Sequence, residues 1–163
     1  MPRQPFSRPH LDPRRSLNFL DSCAFDPKYS PEHEAATQLR AFGRSGAIVL
    51  NIAHSNQKEI EHPNTPPEVK REALGMIYSI ETTLTQEEIN CKATIHAILT
   101  GAGNPEKYAA DAAHVFEAGK YHGYFVTTDA RILARKAELE RVTAVVIVKP
   151  SQWLAIYAET ASA

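Results

Sequence analysis

Cysteine is nearly absent: Cys23 and Cys91 are the only two in 163 residues. Two unpatterned cysteines build neither a disulfide framework nor a zinc ribbon, which points to a reducing, cytoplasmic setting. Long hydrophobic runs are missing too. None approaches the ~18 residues of a membrane span, so no membrane association is expected. The opening MPRQPFSRPHLDPRRS has arginine and proline but no apolar core, and does not read as a secretory signal. Neither sign of charge dominates: 18 Lys plus Arg stand against 19 Asp plus Glu, a formal net charge of −1. That balance disfavours a generic basic nucleic-acid binder. What is present is ordinary globular composition, 43% hydrophobic and 23% charged, at a length that suits one domain with a sizeable core.

Residues 1–16 carry four arginines and four prolines against one acid, Asp12, and read as an extended basic arm. Residues 17–163 read as one domain. Ser16 to Leu20, with its alternating bulk, reads as a short strand that stops at Asp21. A helix over 31–43 opens at Pro31-Glu32 and is closed by Gly43. Ala47 to Leu50 is a continuous apolar run of the buried-strand type. Asn56 to Glu59 resembles a capped helix start. Helices follow near 67–80 and 85–99, the second with Thr85 as cap and Glu88 three residues on. Another runs from Pro105 to Ala118 and stops at Gly119. Then come a strand over 123–127, a helix over 129–139, a strand over 144–148 and a last helix over 150–158. Apolar strands separated by helices predict an α/β fold, a three-layer α/β/α sandwich with a central parallel sheet. In such folds ligands bind beyond the carboxyl ends of the strands.

Carboxylates gather at those ends. Asp21 follows Phe19-Leu20, and Asp129 follows Val126-Thr127-Thr128. Glu59 opens the helix after the second strand. Asp111 lies on the helix feeding the third, among Ala109, Ala110, Ala112 and Ala113. Each has an ordinary reading as a cap, a turn or a solvated residue. Four converging on one edge would repel one another unless a proton were shared or a divalent cation neutralised them. All-oxygen ligands favour Mg²⁺ or Mn²⁺ over zinc, and such a site suits phosphoryl chemistry.

Leu20-Asp21-Ser22-Cys23-Ala24-Phe25 resembles the opening of a PIN domain. Asn56-Gln57-Lys58-Glu59-Ile60 resembles its second acidic motif. The closest match is Asp111-Ala112-Ala113-His114-Val115, followed by Gly123-Tyr124-Phe125-Val126-Thr127-Thr128-Asp129-Ala130-Arg131-Ile132-Leu133. The resemblance spans roughly 17–153; a helical elaboration at about 62–103 has no clear counterpart. It implies a Rossmann-like α/β/α sandwich and Mg²⁺- or Mn²⁺-dependent endoribonuclease activity. Asp21, Glu59, Asp111 and Asp129 would be the metal-holding acidic quartet, and Thr127 the hydroxyl that orients the last acid or a water. Glu61 is the alternative second acid. It would point about 160° away from Glu59 round a helix, and Ile60 favours Glu59. A water activated by the cation would attack the phosphodiester in line and leave a 5′-phosphate. Many members are toxins of toxin–antitoxin pairs, often VapC-type, so RNA, a cognate antitoxin and a homodimer are the implied partners. Two rival functions stand beside this one. The first is a catalytically silent PIN-like scaffold or RNA-binding module. The second is a Mg²⁺-dependent small-molecule phosphohydrolase, weakened because neither a Gly-rich phosphate loop nor a nucleophilic Asp-x-Asp is present.

His114, at i+3 from Asp111, either touches the scissile phosphate, supports Asp111 or packs in the helix core. Arg131 and Arg135 either grip RNA phosphates or belong to a solvated face where Arg135 and Lys136 pair with Glu138 and Glu140. Tyr121 and Tyr124 either stack on bases or pack. Trp153 resembles the apolar residue that anchors the family's terminal helix, and Cys23 reads as a buried small hydrophobe. His54 and His62 flank the second acid without a metal-like partner. Ile77, Ile80, Ile89 and Ile95 suit either a partner surface or internal packing. Outside the arm the chain holds 14 basic and 18 acidic groups; with the quartet set aside as metal ligands, the two balance.

Overall fold

The computed structural model describes residues 11–53, 66–76 and 83–161. Its elements are β1 (Leu17–Leu20), α1 (Ser22–Phe25), α2 (Glu32–Ser45), β2 (Val49–Asn51), α3 (Pro67–Leu74), α4 (Gln86–Thr100), α5 (Pro105–Lys120), β3 (Tyr124–Val126), α6 (Ala130–Ala134), α7 (Lys136–Val142), β4 (Val146–Val148) and α8 (Pro150–Ala161). The four strands form one parallel sheet in the order β2-β1-β3-β4. The chain is an α/β protein with helices on both faces of that sheet, as its apolar strands predict.

Alternation along each strand divides the core in two. Leu20, Tyr124, Val126 and Val148 pack with Leu39, Trp153 and Ile156 under α2 and α8. Phe19, Phe125 and Ile147 pack with Ile95, Leu99, Val115, Ile132 and Leu139 under α4, α5, α6 and α7. Burying each such side chain is worth about 1.5–3 kcal/mol, so both faces are closed by their helices. One polar residue sits among them. Asn18 is fully buried, donates to the carbonyls of Pro13 (2.9 Å), Ser16 (3.1 Å) and Val49 (3.0 Å), and accepts from Trp153 Nε1 (2.8 Å). Its polar atoms are satisfied, which removes the penalty of burying them. Trp153 thus anchors α8 as expected. Glu32 holds the same first turn of α8, accepting from Ser151 N–H (3.0 Å) and Ser151 Oγ (2.6 Å).

Several boundaries differ from expectation, for physical reasons. Gly43 lies inside α2, where a Cβ would crowd Leu50 at 2.9 Å; the helix ends at Gly46 in the left-handed region (φ 81°). Gly119 is likewise inside α5. β2 is an edge strand, and its Val49 is 48% exposed rather than buried. The helix expected over 129–139 is broken at Arg135 into α6 and α7. No breaker residue stands there, so tertiary contacts override propensity: Arg131 is tied back to α4, while Lys136 and Glu140 are tied to β4. Glu140 accepts from Ile147 N–H (2.9 Å) and Lys136 Nζ donates to Ile147 O, so both outward backbone groups of that edge residue are occupied.

The described part of the arm, 11–16, is docked rather than extended into solvent. Leu11 packs on the core and its carbonyl accepts from Tyr124 OH. The Arg14 guanidinium lies 4.1 Å from the centre of the Tyr157 ring. Residues 1–10, the helix start expected at 55–59, and Ile77 and Ile80 lie outside the described residues. Among the described residues, no helix is long and apolar enough to cross a membrane.

Candidate active site

The strand order reverses between β1 and β3: the chain leaves β1 for β2 on one side, then crosses to β3 on the other. Parallel α/β sheets open a crevice at that reversal, beyond the carboxyl ends of the strands. Asp21 and Thr127 stand there, each one residue past its strand, and the ladder itself fixes their backbones. Asp21 N–H donates to Val126 O (2.9 Å) and Thr127 N–H to Val148 O (2.9 Å).

The Thr127 side chain links the two acids. Its hydroxyl donates to Asp21 Oδ2 (2.8 Å) and accepts from Asp129 N–H (3.0 Å). Thr127 is fully buried and Asp21 is 4% exposed, so this linkage sits in a low-dielectric setting where hydrogen bonds count for more. Asp21 Oδ1 accepts from Ser22 N–H (2.9 Å). Asp129 is half-buried and caps α6 through Oδ1, which accepts from Arg131 N–H (2.9 Å) and Ile132 N–H (3.1 Å). The cap reading of Asp129 is therefore real, yet it uses only one carboxylate oxygen.

Cys23 belongs to the same cluster, and its sequence reading as a buried hydrophobe is corrected. The residue is exposed, while its sulfur is crowded against Asp21 Oδ2 (3.3 Å) and Thr127 Oγ1 (3.4 Å). Local burial first, and the Asp21 charge second, push the thiol up to about 12. At neutral pH it is therefore an S–H group, not a thiolate. Its spacing two residues past a strand-end acid was the available signal.

Asp111 is half-buried on α5, one turn ahead of the buried His114 and Val115. Among the described residues, no group of three or more His, Cys, Asp or Glu side chains is gathered closely enough to hold a metal ion. Glu59, Glu61, His54 and His62 lie outside the described residues.

The flanking residues mostly take their packing roles. His114 is fully buried, in keeping with the packed reading among those its helix position allows. Tyr124 is fully buried as well, and Tyr121 stacks on Phe19 at 6.1 Å between ring centres. Ile95 is buried and Ile89 is 48% exposed. Arg131 does not reach outward. Its Nε donates to Leu99 O and its Nη2 to Thr100 O, both at 2.9 Å, closing the last turn of α4, and its guanidinium lies 4.6 Å from the centre of the Tyr108 ring. Arg135 pairs with Glu138 (3.2 Å) and Lys136 with Glu140 (3.4 Å), the solvated-face arrangement that their spacing allows.

Set against known proteins, the chain matches no family model, no curated protein and no solved structure.

Proposed function

We propose that the protein is a divalent-metal-dependent endoribonuclease that cuts RNA at the carboxyl edge of β1 and β3. The observation that carries this reading is the Thr127 hydroxyl held between Asp21 and Asp129 at the reversal of strand order. The donor chemistry fits Mg²⁺ or Mn²⁺, because the two acids offer carboxylate oxygens, the ligands that hard cations prefer. Asp21 and Asp129 are the proposed holders of the ion, with Asp111 and Glu59 completing the acidic set. When bound, such an ion neutralises charge on the phosphate and acidifies water. The chain's own contribution is positional. The β1–β3 ladder and Thr127 fix the Asp21 carboxylate, while the cap on α6 fixes Asp129 through Oδ1 alone. A cognate antitoxin and a second copy of this chain are the protein partners proposed with the same reading.

The test is Asp129→Asn. Asparagine caps a helix about as well as aspartate, so the fold stays while the charge is lost. Mn²⁺-dependent RNA cleavage should drop by about a hundredfold or more. Undiminished cleavage overturns the site. If the wild-type protein cuts no nucleic acid with any divalent ion, a non-catalytic RNA-binding or scaffold domain is the better reading. Hydrolysis of p-nitrophenyl phosphate without RNA cleavage points to a small-molecule phosphohydrolase.

A further inference from the structure

The sheet register extends the candidate site by one residue that the sequence motifs leave out. Leu20, Val126 and Val148 pair across β1, β3 and β4. The backbone bonds Asp21 N–H to Val126 O and Thr127 N–H to Val148 O carry that register one step further. The next row is therefore Asp21, Thr127 and Lys149. Phe19, Phe125 and Ile147, two residues earlier, all face the core layer beneath α4 to α7, so the period of two places the new row on that same side. Neighbouring strands lie about 4.8 Å apart. The Lys149 backbone thus stands about 5 Å from that of Thr127 and about 10 Å from that of Asp21.

Lys149 differs in its engagement from the cations that follow β3. Arg131 is spent on the end of α4, Arg135 on Glu138 and Lys136 on Glu140. Lys149 is exposed, its N–H donates to Gln152 Oε1 (2.9 Å), and its ammonium group makes no ion pair among the described residues. A flexible four-carbon stem with a point charge, rooted one strand from the acids, suits an anion beside them rather than the acids themselves.

We infer that Lys149 binds the backbone phosphate next to the scissile one in a single-stranded polynucleotide. This rests on the reading of Asp21 and Asp129 as a nuclease site. It makes the substrate a chain with at least one further phosphate, and it gives the edge a cation that Arg131 does not supply.

Two measurements on the full chain separate this inference from the reading beneath it. The first is the affinity for a single-stranded RNA oligonucleotide in Ca²⁺ at several salt concentrations, for wild type, Lys149→Gln and Lys149→Arg. Lys149→Gln should weaken binding about fivefold, the size of one exposed charge contact, and lower the salt slope by about 0.7. Lys149→Arg should restore both. The second is Mn²⁺-dependent cleavage, where Lys149→Gln should raise KM with kcat kept. Unchanged affinity and slope in Lys149→Gln overturn the role of Lys149 even if the wild type cuts RNA, as does a fall in kcat at constant KM. Absent wild-type cleavage overturns the nuclease reading, while the binding arm still reports on Lys149.

Discussion

Thr127 Oγ1 lies 2.8 Å from Asp21 Oδ2 and 3.0 Å from the Asp129 amide, so one buried hydroxyl serves an acceptor just past β1 and a donor at the start of α6. Thr127→Val keeps the shape and removes both bonds. The loss should cost about 1–3 kcal/mol and lower Mn²⁺-dependent RNA cleavage by at least about tenfold. Thr127→Ser should retain most of both. Urea unfolding alongside a cleavage assay checks this, and full activity in Thr127→Val would break the link between the hydroxyl and the chemistry.

Arg131 should behave as a structural residue. Removing its two bonds to Leu99 O and Thr100 O uncaps α4, and Arg131→Ala should lose about 1.5–3 kcal/mol of stability. Lysine cannot reproduce the planar fork, so Arg131→Lys should rescue little. Denaturant midpoints give the stability, and RNA affinity of the folded variant should equal that of wild type. A stable Arg131→Ala protein with weakened RNA binding would return Arg131 to a phosphate-gripping role.

Glycine to alanine inside a helix normally gains about 1 kcal/mol. Gly119→Ala in α5 should do the reverse, because a Cβ there meets Thr143 Oγ1 at 1.9 Å. Overpacking of this kind costs about 1–3 kcal/mol. The double variant Gly119→Ala/Thr143→Ala should recover most of the loss, and the coupling is measured by a double-mutant cycle in urea. Simple additivity of the two changes would contradict the close approach.

Alkaline pH should loosen the N-terminal strap. Burial first, and the charge of Asp12 second, raise the Tyr124 phenol to about 12, above its ordinary value near 10. Between these values the folded chain keeps a proton that the unfolded chain has released, so stability falls as pH rises past about 10. Ultraviolet titration of wild type against Tyr124→Phe should show that the Tyr124 phenol ionises late. Tyr124→Phe, which cannot ionise, should flatten the decline in unfolding free energy between pH 9 and 11.

The strands and their terminal acids are legible in the chain because a buried parallel strand is a bare apolar run and its end is marked by a polar residue, as at Leu20-Asp21 and Val126-Thr127. Helix starts are legible for the same local reason: Thr85 and Glu88 form the reciprocal cap their spacing predicts. Helix ends are harder to read. Gly43 and Gly119 look like stops, but each is small because another segment presses on it, Leu50 in one case and Thr143 in the other. The roles of Arg131 and His114 are equally non-local. One depends on carbonyls about thirty residues away, and the other on which side of α5 the sheet lies. Cys23 was misread because crowding of its sulfur by Asp21 and Thr127 arises only when β1 and β3 are neighbours. Lys149 becomes visible only through the register of β4 on β3.

The last strand carries a consequence for assembly. An incoming chain seeking to add itself beside β4 needs the outward amide and carbonyl of Ile147, and Glu140 and Lys136 already occupy both. Displacing two charged side chains to form two backbone bonds gains little. The β4 border is therefore closed to strand addition by a peptide or by another copy, and to fibril growth from that side.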